Sequence, residues 1–156
     1  MQSDLKCRGR KKRPMSDFHS DEKLYLSFRD NQWDARGRRL INAAIRLPDQ
    51  SCNWSKYSGP SDVLHREGGA AADGIFQLPV ESIWLDNVAT VVHDPLCECE
   101  IENYSHCEIR TWPDSKADRS QEPPKGAPKP PSGIRKAWRT KVLQTAVVLK
   151  ELDGSE

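Results

Sequence analysis

No stretch of this chain approaches the roughly 20 consecutive apolar residues needed to cross a bilayer, so no membrane-spanning role is expected. The first fourteen residues are polar and cationic without an apolar core, and no export signal is expected there. Apolar residues are scarce overall: hydrophobic types make up 36%, charged types 30%, and mean hydropathy is -0.78. That composition predicts appreciable length outside the packed core, with the folded part near about two thirds of the chain. Nothing repeats. The strand-helix elbow of serine hydrolases, a Walker loop, a dinucleotide-binding glycine pattern and a His-Glu-x-x-His pair are all missing, which excludes the familiar forms of those chemistries.

A dominant charge sign is missing too. The net charge is +1, but the ends and the centre differ. Residues 1–14 hold six Lys/Arg against Asp4, residues 15–115 hold nine against seventeen Asp/Glu, and residues 116–150 hold nine against two. Basic ends around an acidic centre suit an anionic partner or a contact of the ends with the centre itself. The five cysteines (Cys7, Cys52, Cys97, Cys99, Cys107) are odd in number and lack the spacing of a secreted disulfide framework. They are expected to be thiols or ligands in a reducing, cytoplasmic compartment.

What is present reads as an α+β protein of one domain, at a length that can bury a core without staples. Residues 1–20 form a basic tail expected to be disordered, residues 21–112 a β-rich domain, residues 113–131 a Pro-rich linker, and residues 132–153 a C-terminal amphipathic helix. Within the domain, Leu24, Leu26 and Phe28 alternate with polar neighbours, the period of a half-buried strand. A second strand is expected over 40–47, pairing antiparallel with the first, then a long loop over 48–74 with a short helix near Ser61. Further strands are expected at 75–80, 88–93 and 107–112, with Pro79 confined to a strand end or an edge. In the last element Ile134, Trp138, Val142, Thr145, Leu149 and Leu152 recur at helical spacing after Ser132, with Gly154 as terminator. This stripe should cover a mostly antiparallel sheet.

Chemistry concentrates between Val91 and Arg110. Paired strands there would bring His93 and His106 to the loop end of one hairpin, with Cys97 and Cys99 two residues apart. Imidazole and thiolate suit Zn²⁺, so His93, Cys97, Cys99 and His106 form a candidate metal set with Cys107 as substitute, although the one-residue gap and the lack of a second cysteine pair depart from structural zinc spacing. A catalytic set needs His93 or His106 as acid or base, with Glu108 and Arg110 on the strand face of His106 as orienter and anion contact. A cross-strand ladder of surface charges is the simpler reading of the same residues. Residues 86–114 hold seven Asp/Glu against Arg110 alone, a field that repels phosphates. Nucleic acid would instead meet the basic ends: Arg8, Arg10, Lys11, Lys12 and Arg13 in the tail, with Arg135, Lys136 and Arg139 in the helix. Three functions follow in order: an accessory or adaptor protein acting through protein contacts, a small enzyme or metal-dependent hydrolase at the His93/His106 hairpin, and a non-specific nucleic-acid binder.

Overall fold

The computed structural model describes residues 3–65, 70–113 and 116–153. In chain order its regular elements are β1 (Lys23–Phe28), β2 (Trp33–Asp34), β3 (Arg39–Leu40), β4 (Asp49–Trp54), β5 (Gly74–Pro79), α1 (Val80–Ile83), β6 (Ala89–His93), β7 (His106–Thr111), α2 (Ser132–Gln144) and β8 (Val147–Lys150). Six strands form one sheet in the order β6-β7-β4-β1-β5-β8, every neighbour antiparallel, while β2 and β3 make a small ribbon. The fold is therefore the expected α+β arrangement of a mostly antiparallel sheet with a C-terminal helix. No helix among the described residues is long and apolar enough to cross a membrane.

Strand alternation sorts the two sheet faces. Leu24, Leu26 and Phe28 of β1, Phe76 and Leu78 of β5, and Cys107 and Ile109 of β7 are buried in one core. Ile83 of α1 and Trp138 and Val142 of α2 join the same core, and the Trp138 indole N–H donates to the Ile83 carbonyl at 3.3 Å. Each such side chain contributes about 1.5–3 kcal/mol by leaving water. Phe28 partners Gly74 in register, and a Cβ at Gly74 would lie 2.2 Å from the ring, so only glycine fits beneath it. The opposite face carries Tyr25, Asn53, His106 and Glu108.

Four expectations are corrected. The strand expected over 40–47 is absent: Asn42–Ala44 is a 3₁₀ turn, Ile41 is 38% exposed, and the strand is β4, inside the stretch read as a loop. Pro48 breaks the alternating run, and β4 holds without a β-branched residue because β7 and β1 flank it. Pro60–Leu64 is a short helix as expected, of 3₁₀ form. The C-terminal helix ends at Gln144 rather than continuing to 153; Thr145 closes it, and Val147–Lys150 turn into an edge strand on β5. Gly154 lies outside the described residues. Lastly, the basic arm is not free. The Asp4 N–H donates to Tyr57, the Leu5 carbonyl accepts from Tyr104, Cys7 is disulfide-bonded to Cys97, and Phe18 stacks on Trp54 at 3.9 Å. The described part of the Pro-rich linker is likewise laid on the sheet, with Pro123, Ala127 and Pro130 buried.

Candidate functional site

The hairpin of β6 and β7 forms as expected, yet its histidines part company. His93 partners Cys107 in register, so His106, the next residue, projects from the other face. His93 is fully buried and both ring nitrogens are used: Nδ1 accepts the Arg13 N–H at 2.8 Å, and Nε2 lies 2.6 Å from the Tyr104 carbonyl. Burial pushes its pKa down, only partly offset by that carbonyl. Cys97 is spent on Cys7, while Cys99 is an exposed thiol. The four residues His93, Cys97, Cys99 and His106 are thus not gathered, and among the described residues no group of three or more His, Cys, Asp or Glu side chains could hold a metal ion. Cys107 is a buried thiol opposite Cys52, its pKa raised by desolvation.

Glu108 and Arg110 do meet, but as a structural pair. The guanidinium donates from Nε and Nη2 to Glu108 Oε1 at 3.0 and 2.7 Å, and Lys125 adds a contact at 3.1 Å. Burial pushes the Glu108 carboxyl up, but these donors outweigh it and leave the pKa below its usual value. The linker closes over the pair, with Arg110 also donating to the Pro123 carbonyl. The basic set is divided. Arg10 is held by Asp4 and lies over the Tyr104 ring at 3.8 Å, Lys12 pairs with Glu122, and Arg13 pairs with Asp17 at 2.5 Å. Arg8 and Lys11 are exposed, as is Lys136; Arg135 is half-buried.

A different feature dominates the sheet. Strands β1 and β4 pair at Leu24 with Trp54 and at Tyr25 with Asn53, and there the ladder stops. Continued, it would join Ser27 to Ser51; instead the strands splay, and both serines line a cleft of about 1060 Å³. Its walls include Leu26 and Ile45, and Tyr25, Asn53 and His106 stand in a row across three strands at the end where the pairing stops.

Asn53 has an unused donor there. Asn103 Oδ1 accepts the Ser105 backbone N–H at 3.0 Å and the Ser105 hydroxyl at 2.6 Å, which orients that amide. Its nitrogen therefore donates to Asn53 Oδ1 at 2.9 Å, which turns Asn53 Nδ2 away. Asn53 is 4% exposed, and this nitrogen is buried with no hydrogen-bond partner among the described residues. Flipping the amide would set two NH₂ groups face to face, so the neighbours dictate the orientation. A second orphan belongs to a residue lining the same cleft: Arg139 Nε, buried and without a partner among the described residues. Desolvation lowers the Arg139 pKa, with Arg135 adding to the effect. His106 contributes an acceptor. Its Nδ1 lies 2.7 Å from the Asp94 carbonyl, which can only accept, so Nδ1 holds a proton and, in the neutral ring, the lone pair is on Nε2.

Of the residues singled out from sequence, the cleft gathers His106, Cys99 and Arg139; His93, Cys97, Glu108 and Arg110 are not in its lining. Tyr25 and Arg46 were not singled out, and Asn53 and Asn103 stand out in the sequence only as Asn-x-Ser triplets, a glycosylation signal that matters in a secreted chain. The available signal was weak: an asparagine inside a strand is uncommon, and here the strand itself read as a loop. Comparison of the chain with protein families, with curated proteins and with solved structures gives no match.

Proposed function

We propose that this protein is a small accessory module that works by binding, and that the cleft between β1 and β4 receives an extended segment of a partner protein. One observation carries the reading: the sheet splits between two strands, and at the split stands a buried amide donor, Asn53 Nδ2, that no group among the described residues satisfies. A buried donor left unpaired costs about 1–3 kcal/mol, which an incoming acceptor recovers. The volume of about 1060 Å³ lies just above the range for small-molecule pockets, about 300–1000 Å³, and the slot has a strand along each side. Recognition that adds a strand to a sheet uses such edges. A cytoplasmic setting loses the cysteine argument, because Cys7 and Cys97 are bonded and disulfides persist in oxidising compartments.

The test is selection of randomised displayed peptides on the native protein, followed by rebinding to Ser51→Trp, which fills the cleft. Peptides that enrich and then lose Ser51→Trp support the reading. Enrichment indifferent to Ser51→Trp overturns it.

His106 supports a second reading, a small hydrolase without a metal. A lone-pair nitrogen fixed by the Asp94 carbonyl can act as a base in the cleft that Cys99 also lines. Ester hydrolysis by the native protein that disappears in His106→Gln would favour it, and activity unchanged in that variant would remove it. The nucleic-acid reading predicts binding that weakens steeply with salt and declines in Arg8→Ala/Lys11→Ala, the arm cations without an ion pair among the described residues.

A further inference from the structure

The cleft also carries information about the chemistry of its occupant. Arg46 and Arg139 both line it, and neither side chain has an ion pair or hydrogen bond among the described residues. Arg139 differs from a solvated surface arginine: its Nε is shut off from water, and Trp138, its neighbour on α2, is locked in the core. Arg139 is half-buried, and a guanidinium whose Nε is closed off from water without a carboxylate has an unmet donor that a planar carboxylate matches better than any neutral group. Two carboxylates share the cleft lining, and neither fills this role. Asp62 accepts the Gly59 N–H at 2.7 Å and the Ser3 hydroxyl, and Glu100 is exposed on the loop that leads away from the disulfide.

We propose that the segment bound in the cleft is acidic: a side-chain carboxylate pairs with Arg139 and Arg46, while a main-chain carbonyl of the same segment accepts from Asn53 Nδ2. The two orphaned donors then have partners of the two kinds that an extended acidic peptide supplies, one ionic and one neutral. Leu26 and Ile45, both buried in the core, close the cleft on its inner side. This inference rests on the reading of the cleft as a peptide site, and it adds the sign of the charge.

The experiment is a titration of the intact protein, followed through the Arg139 Nε–H and Asn53 side-chain amide resonances. Three probes are used: an acetylated, amidated hexapeptide alternating Glu and Val, its counterpart with Gln for Glu, and glutarate alone. The expected result is saturable movement of both resonances with the Glu peptide, roughly tenfold tighter than with the Gln peptide. Arg139→Gln should abolish that preference without lowering the melting temperature, since the native guanidinium has no partner among the described residues to lose. Asn53→Asp keeps an oxygen for Asn103 but replaces the free donor with an acceptor, and should weaken both peptides. Equal binding of the Glu and Gln peptides overturns the acidic assignment and leaves the peptide reading standing. Glutarate binding as tightly as the Glu peptide overturns the peptide and makes this a small-molecule carboxylate site. No movement with any probe, together with no enrichment of displayed peptides, removes both readings.

Discussion

Two hydrogen bonds hold the His93 ring, and they assign its tautomer. The Tyr104 carbonyl can only accept, so Nε2 carries the proton and Nδ1 is the acceptor for the Arg13 N–H. Protonating Nδ1 would set donor against donor and charge a buried ring, the direction in which desolvation already moves the pKa. The folded value lies below the ordinary 6.5, so the unfolded chain takes up the proton first as pH falls. The stability His93 contributes is complete above about 6.5 and is lost as pH drops through the depressed value. Chemical denaturation at stepped pH should show that decline, and His93→Phe should flatten it while losing about 1–3 kcal/mol for the unpaired Arg13 N–H and Tyr104 carbonyl. Glu108 behaves alike lower on the scale. Its carboxyl is held below the usual 4.5, so its contribution is present above that value and fades as pH falls beneath it. Arg110→Met leaves Glu108 almost wholly buried beside Lys125 alone, and should cost about 3–5 kcal/mol in the same measurement.

Elements differ in how plainly the sequence announces them. Alternation in Leu24, Leu26 and Phe28 marks β1 because one face is buried and the other polar; β5 and β7 show the contrast more weakly, and β6 is buried along its whole length. For β4 the signal fails: Asp49-Gln50-Ser51-Cys52-Asn53-Trp54 has turn-like composition, and its strand form comes from partners distant in the chain. The helical stripe runs true through Trp138 and Val142, then Thr145, Val147 and Val148 favour extended backbone and the stripe ends. The candidate site suffered most from this, since a row across β1, β4 and β7 is invisible once β4 is read as a loop, and the paired histidines drew notice that belongs to only one of them. The packing makes a direct check. Trp138→Ala should cost about 3–5 kcal/mol, whereas Val147→Lys on the exposed edge of β8 should change stability by no more than about 0.5 kcal/mol.

Across the whole molecule the Cys7–Cys97 bond closes a span of 90 residues between the arm and the loop that follows β6. In the chain-entropy account a loop of that order stabilises by about 4–5 kcal/mol, so Cys7→Ser should lower the denaturation midpoint in non-reducing buffer and should make it insensitive to added reductant. The sheet itself is two three-stranded leaves, β6-β7-β4 and β1-β5-β8, bound along a spine no longer than Lys23–Tyr25 against Asn53–Ser55. The arm is fastened to one leaf by the disulfide and to Tyr104, and then runs on into β1 of the other. It is a tether across the gutter of an open book. The Cys7–Cys97 bond is thus a second clasp between the two pages, set beside the short spine of paired strands.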